Sequence, residues 1–347
     1  MTAVAVSVLM AVHNGEGFLA EALASVAGQT LRDYEFVIVD DASNDGTAQL
    51  LAAAAARDPR ITVLTNPHNQ GLTRSLNLGL RLARGAYVAR IDADDTCVPE
   101  RLAVQHAFME AHPDFVGVCC GFSVIDAAGN VSRTVSAGLD DWQVRWLAGW
   151  NPPAPHPTYF FRRLQSDGQS WLYDEDFRTA QDFDLWSRLM SQGKTCVLAQ
   201  VLVGYRRHAG AITVVKRSEQ ALNCARIGQR NLAARLPAAE VAQLQPLIAL
   251  FSYQQPAGEL AIRQALKGAD ALLAYDLSTG PGRERERWLR RTVAGLLADA
   301  VLSRAGALKS VRGTARFGLY ARKHLWPLLG AVLSDPAMAL KSIRNRR

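Results

Sequence analysis

Val39-Asp40-Asp41-Ala42-Ser43 and Ile91-Asp92-Ala93-Asp94-Asp95 decide how this chain is read. Each acidic cluster ends an apolar run of strand length, and carboxylates packed so closely repel one another unless a cation neutralises them. The pair points to a metal and a phosphate-bearing ligand. Working outward, 4–12 is a continuous apolar run, 16–28 has helical spacing, and 35–40 is a strand. A helix follows over 45–56, with Asn44 or Asp45 suited to cap it, then a strand over 61–65. Leu72, Leu76 and Leu80 give 71–84 a helical stripe, and 86–91 is a strand. Strand and helix in strict turn predict an α/β fold with a mainly parallel sheet flanked by helices. Ligands bind such a sheet beyond the carboxyl ends of its strands, where both clusters lie.

After residue 99 the order becomes mixed. The stretches 115–125 and 131–135 read as a hairpin, 158–162 as a strand and 182–192 as a helix. From residue 216 onward Ala-, Leu- and Arg-rich helical patterns dominate, broken at Ser278-Thr279-Gly280-Pro281-Gly282. A length of 347 residues with 49% hydrophobic content fills a substantial core. Five cysteines without a C-x-x-C pair argue against a disulfide framework or a thiolate zinc site, and are expected to be reduced and mostly packed. Polar residues interrupt the first apolar run too soon for a signal peptide, and apolar stretches such as 325–333 fall short of the ~20 residues that span a bilayer. A cytoplasmic protein is expected.

Charge divides the chain. Residues 1–215 carry 17 basic against 23 acidic side chains, a net −6, and residues 216–347 carry 22 against 9, a net +13. This marks a boundary between an N-terminal domain, 1–215, and a basic, all-α C-terminal region, 216–347, that meets something anionic. That region has no zinc-finger or RNA-binding signature, so nucleic acid is not the expected partner. Trp288-Leu289-Arg290-Arg291, and the stretch 317–326 with Arg322 and Lys323, fit an amphipathic helix on the inner face of an acidic membrane. A solvated basic helical face is the competing reading.

One motif points elsewhere. Gly15-Glu16-Gly17-Phe18-Leu19-Ala20 matches G-x-G-x-x-A after a strand, with Asp40 some twenty residues on, as in an NAD(P)-binding dehydrogenase. Yet His13 and Asn14 separate the strand from the first glycine, and Asp92, Asp94 and Asp95 are then left without a task.

Four blocks closely resemble the family 2 glycosyltransferases of the GT-A fold. They are Val6-Ser7-Val8-Leu9-Met10-Ala11-Val12-His13-Asn14, Val39-Asp40-Asp41-Ala42-Ser43-Asn44-Asp45-Gly46-Thr47, Asn69-Gln70-Gly71-Leu72-Thr73-Arg74-Ser75-Leu76-Asn77 and Arg90-Ile91-Asp92-Ala93-Asp94-Asp95. Order and spacing match as well as the residues, and weaker matches extend to about residue 215. The resemblance implies an inverting, metal-dependent transfer from a nucleotide-diphosphate sugar, UDP being the commonest nucleotide, to a hydroxyl acceptor. A hard cation, Mg²⁺ or Mn²⁺, suits oxygen ligands and offsets the charge that develops on the leaving diphosphate.

The resemblance assigns Asp92-Ala93-Asp94 to the D-x-D motif, with Asp94 the main metal ligand and Asp95 sharing that ligation or binding ribose. Asp40 and Asp41 are implied in ribose and base recognition, Ala11 and His13 in lining the same pocket, and Arg74 in meeting the nucleotide. His208, in Tyr205-Arg206-Arg207-His208, resembles the late histidine that completes the metal site in many GT-A enzymes. Gln181-Asp182-Phe183-Asp184 resembles the segment supplying the catalytic base, with Gln where Glu is commoner; inversion needs one carboxylate to take the acceptor proton, and Asp182 is the candidate. Asp184, two residues on in a helix, points elsewhere. Each residue also has a plain reading: a helix cap for Asp92, Asp94 and Asp95, an ordinary turn for Asp40 and Asp41, a favoured helix dipole for Asp182, a solvated surface for Arg74, a surface loop for His208. His156, in a His-Pro pair, shapes either the acceptor side or only the fold. The basic region suggests a glycan or lipid-linked glycan acceptor at the membrane, as in cell-surface polysaccharide assembly. A sugar nucleotidyltransferase would need a basic glycine-rich loop after the first strand, and 13–18 has no Lys or Arg. A non-catalytic nucleotide-sugar-binding protein would keep the donor site and lose the base.

Overall fold

A computed structural model describes residues 4–208, 210, 216–251, 268, 272, 276 and 282–302. Contacts divide the chain into two units, Met1–Ala148 with Pro152–Asn223, and Gly149–Asn151 with Cys224–Arg347.

The first unit opens with β1 (Val6–Val12), α1 (Leu19–Ala27), β2 (Tyr34–Asp40), α2 (Thr47–Arg57), β3 (Ile61–Thr65), α3 (Leu72–Leu82) and β4 (Tyr87–Arg90). These four strands pair in parallel in the order β3-β2-β1-β4. Every residue of β1 and β2 is buried, because helices cover both faces of the sheet; continuous apolar runs such as VSVLMAV meet that demand. Val12 lies beside Asp40 in the ladder, so the two chain segments leave the sheet together.

The rest of the unit is β5 (Thr96–Cys97), α4 (Arg101–Ala111), β6 (Phe115–Ile125), β7 (Val131–Val135), α5 (Asp141–Leu147), a 3₁₀ turn at His156–Thr158, β8 (Phe160–Arg162), α6 (Gln181–Gln192) and β9 (Lys194–Arg206). Here the sheet becomes mixed: β8 runs antiparallel to both β4 and β6, β9 parallel to β6, and β5 antiparallel to β9. The hairpin of β6 and β7 has the expected bounds. The expected strand over 158–162 begins instead as a 3₁₀ turn, because Pro157 at its start cannot donate to a ladder. The thirteen-residue β9 has no counterpart in the sequence reading. Its burial is irregular and its pairing with β6 shifts register three times, so no simple alternation marks it. None of the five cysteines forms a disulfide; Cys119, Cys120, Cys196 and Cys224 are buried, and Cys97 is partly buried.

Helix α7 (Arg217–Ala233) runs across the boundary between the units. The second unit also holds α8 (Ala238–Phe251) and α9 (Arg283–Leu302), which pack against each other. In α9, Leu289 and Val293 are buried one turn apart, while Arg290 pairs with Glu286 on the exposed side. Leu289 and Val293 are thus not part of an exposed apolar face, and Trp288 is partly buried. The stretch 317–326, with Arg322 and Lys323, and the break over 278–281 lie outside the described residues. Among the described residues no helix is long and apolar enough to cross a membrane.

Candidate active site

The strand-end loops after β1 and β2 are sewn to each other. Asn14 and Ala42, two residues beyond their strands, take left-handed backbone conformations with φ of 55° and 57°, which turn both segments off the sheet edge. Ala42 pays for this with strain of the order of 1–3 kcal/mol, which the surrounding bonds must hold. Asn14 N–H donates to Ser43 Oγ at 2.9 Å, Asn44 N–H to Asn14 Oδ1 at 2.9 Å, and Gly15 N–H to Thr47 Oγ1 at 2.8 Å. Asp45 accepts from Glu16 N–H and from Thr47 N–H, but the residue at the cap position of α2 is Gly46, not Asn44 or Asp45. His13 Nδ1 lies 2.9 Å from the Asp41 carbonyl oxygen.

The stitching gives the first glycine of the G-x-G-x-x-A pattern a local role: a Cβ on Gly15 would stand 2.5 Å from Val12 Cγ2, whereas one on Gly17 would meet nothing within 4 Å.

Asp41, buried, ties the loop after β2 to Asn66 and to the start of α3. Its Oδ1 accepts from Asn66 Nδ2 at 2.7 Å and Gln70 N–H at 2.8 Å, and its Oδ2 from Gly71 N–H at 2.8 Å. Gly71 reaches this geometry at φ 89°, where a side chain would be strained. Burial pushes the Asp41 carboxyl up, but the donors from Gln70, Asn66, Gly71 and Ser75 outweigh it and hold it below the usual range. Asp40 accepts from Ser43 N–H at 3.0 Å, and Ala11 is buried in β1.

The second cluster is built around two arginines whose side chains are sealed from solvent. Arg90, at the end of β4, bonds Asp92. Arg206, at the end of β9, gives its backbone N–H to Asp95 Oδ1 at 2.6 Å, and its guanidinium donates to the Asp94 carbonyl at 2.7 Å, to the carbonyls of Asp126 and Ala127, and to Glu21. Asp95 Oδ2 is buried with no partner. Burial first, then repulsion from Asp92 and Asp94, pushes the Asp95 carboxyl well up, with the Arg206 N–H opposing. Burial also raises Asp92, against the attraction of Arg90. Asp94 stands apart: its Oδ2 meets His208 Nε2 at 2.9 Å, and His208 leans on Phe18, ring centroids 5.0 Å apart.

Of the four expected metal residues, Asp94 and His208 thus face each other, while Asp92 and Asp95 are engaged by Arg90 and Arg206. Among the described residues no three His, Cys, Asp or Glu side chains form a cage for an ion. Two protein donors fit Mg²⁺ or Mn²⁺, which keep waters and take the remaining oxygens from substrate phosphates. The chemistry of the donor set and the orphaned Asp95 oxygen both suit a cation at this lip.

Asp182 sits in the first turn of α6, after Ala180 at φ 58°. Burial, followed by the field of Asp92, raises its carboxyl to about 6, against the N–H of Phe183. The influence of Asp92 joins it electrostatically to the acidic cluster after β4. Tyr173 is influenced by Arg90, Asp182 and Asp92 alike, and its hydroxyl lies 2.8 Å from Nε2 of buried His156. Burial and Arg90 hold His156 neutral, well below its usual value. Asp184 points elsewhere, as expected, and pairs with Arg188 at 2.8 Å. Arg74 pairs with Glu175 at 2.9 Å, both side chains well exposed. Sequence reasoning missed Arg90, Arg206 and Glu21. The arginines adjoin the motifs, but no local signal says that they are buried.

Comparison with known proteins gives this geometry its context. A model described as glycosyl transferase family 2 matches residues 7–173. The amylovoran biosynthesis glycosyltransferase AmsE of Erwinia amylovora is 33% identical over 218 residues, 61% of this chain and 79% of that one. The putative glycosyltransferase EpsE of Bacillus subtilis is 33% identical over 190 residues, 54% of this chain and 67% of that one. S. aureus TarS 1–349 in complex with UDP-GlcNAc aligns with a TM-score of 0.57 at 19% identity, over 88% of each chain. The mannosyltransferase PcManGT from Pyrobaculum calidifontis, in complex with GDP-Man and Mn²⁺, aligns with a TM-score of 0.51 at 20% identity, over 96% of this chain and 88% of that one. These two likenesses show the GT-A fold. A third of the aligned residues shared with AmsE and EpsE, over two thirds or more of their length, shows the rest: this chain belongs to glycosyltransferase family 2.

Proposed function

We propose that the enzyme moves a sugar from a nucleoside diphosphate donor, UDP first among them, to a hydroxyl of a glycan or lipid-linked glycan, inverting the anomeric centre. Asp182 carries the reading: a carboxyl raised to about 6 beside the acidic lip is largely ionised at neutral pH and still matched to a general base. Its carboxylate takes the acceptor proton as the acceptor oxygen bonds to the anomeric carbon. On the opposite face the bond from that carbon to the phosphate oxygen breaks, and the nucleoside diphosphate leaves with the electron pair. Asp94 and His208 would hold a divalent ion, which supplies charge stabilisation to the departing diphosphate when bound. Asp92 and Asp95 add negative charge to that lip. Ala11, His13, Asp40, Asp41 and Arg74 serve the nucleotide.

The UDP-GlcNAc of TarS and the amylovoran role of AmsE support a UDP-sugar and a polysaccharide pathway; the GDP-Man of PcManGT keeps GDP among the donors to be assayed. Residues 1–215 carry the chemistry, and the basic region 216–347 places the enzyme at the inner membrane face. The test is a panel of UDP-, GDP- and dTDP-hexoses with Mn²⁺, read as nucleotide release, with Asp182→Asn beside the wild type. The variant is expected to lose about 10²- to 10⁴-fold in turnover and to keep donor binding. Wild-type turnover in that variant would overturn the assignment of the base.

A further inference from the structure

Between Leu172 and α6 the chain forms a strap whose alternate residues are each gripped from outside. Asn77 of α3 binds Tyr173 twice: its Nδ2 donates to the Tyr173 carbonyl at 2.9 Å, and its Oδ1 accepts the Tyr173 N–H at 2.7 Å. Arg74 holds Glu175, and Thr73 Oγ1 donates to the Phe177 carbonyl at 3.0 Å. Asn223 Nδ2 donates to the Thr179 carbonyl at 3.1 Å and to its hydroxyl at 2.9 Å. Ala180 then makes its left-handed turn, and Asp182 follows within the first turn of α6.

Asn77 behaves in this arrangement like one residue of a neighbouring strand. Only a carboxamide offers both a donor and an acceptor at that reach. Asn77 is 1% exposed and Tyr173 2%, so water cannot replace a lost bond. The N-terminal end of α3 is tied to β2 through Gln70, Gly71 and Asp41. A single helix therefore spans from the donor-side loop to the mount of the base.

We propose that Asn77 is a positioning residue for transfer: through Tyr173 it fixes the strap 173–180, and so sets Asp182 against the acidic lip. The proposal rests on Asp182 being the base. Asn77→Leu removes both bonds at similar volume. The expected result is a rise of about tenfold or more in amide hydrogen exchange over 173–180 in the unliganded protein. Alongside it, kcat should fall about 10- to 100-fold, with the donor KM within about twofold, for the panel member that the wild type turns over fastest. A merely structural role would not split kcat from KM in this way.

If Asn77→Leu does not fold, Thr73→Val removes one grip without changing shape; it is expected to lower kcat about threefold or more, and Thr73→Ser to restore it. A folded Asn77→Leu, or failing that Thr73→Val, with wild-type kcat or unchanged exchange overturns the proposal. Where Asp182→Asn is inactive in the same assay, the base still stands. Full turnover by Asp182→Asn removes the base and the positioning role together.

Discussion

Replacing Asp182 by Asn should stabilise the protein at neutral pH while abolishing its activity. Burial and the field of Asp92 raise the carboxyl from its ordinary 3.8 to about 6. At 1.36 kcal/mol per pH unit, ionised Asp182 costs the folded state roughly 3 kcal/mol above that pH, an upper figure because the side chain keeps some exposure. The sign follows from linkage. The folded-state value is raised, so the group's contribution to stability is fully present below the unfolded value and is lost as pH rises through about 6. Asparagine mimics the protonated form, so the variant's gain should be near zero at about pH 4 and complete at about pH 8. For a unit of this size, roughly 2–4 °C per kcal/mol predicts a rise in Tm of up to about 10 °C at pH 8. Urea or thermal unfolding of both proteins from pH 5 to 8 measures it. If Asp182 merely favoured the dipole at the start of α6, the same substitution would destabilise by about 0.3–1 kcal/mol. A drop in Tm at pH 8 therefore refutes the reasoning, whatever happens to turnover.

Other outcomes follow from the same geometry. The kcat/KM profile should show an acidic limb near pH 6, rising with pH as Asp182 loses its proton; a flat profile from pH 5 to 8 would count against a titrating base. Asp94→Ala or His208→Ala should abolish the extra thermal stabilisation that Mn²⁺ lends to UDP binding, worth about 2.7 kcal/mol in the wild type at a hundredfold excess over Kd. Differential scanning calorimetry with UDP, with and without the metal, decides that point. Asp41→Asn should lower stability by about 2 kcal/mol at pH 7, since an amide nitrogen opposes one of the three donors now bound. Because donors hold the Asp41 carboxyl down, that wild-type advantage should fade as pH drops below about 4. Gly17→Ala should leave Tm and turnover unchanged, whereas Gly15→Ala, meeting Val12 at 2.5 Å, should lower Tm.

Much of the first half was legible in the chain. Apolar runs buried on both faces announce β1 and β2 whatever surrounds them, and the hairpin of β6 and β7 carries its own turn. Asp41, Asp92, Asp94, Asp95 and Asp182 stand out in the sequence because acids are concentrated there at strand ends or a helix start, and the structure places them at the ends of β2 and β4 and in the first turn of α6. The thirteen residues of β9 were not: shifts in register against β6 erase the alternation by which a strand is recognised. With β9 unread, the arrival of Arg206 beside Asp95 and of His208 beside Asp94, more than a hundred residues away, was also out of reach.

Sequence alone determined the parallel half-sheet and the family blocks, since these depend on local pattern and residue type. Tertiary structure decided which acids are committed and which remain open. Arg90 engages Asp92, Arg206 engages Asp95, and Asp94 is left to His208. It likewise set Asp182 apart from Asp184 and seated the strap on Asn77. The physical reason is that desolvation and pairing energies depend on neighbours brought from distant strands, and no short stretch of chain records who those neighbours are.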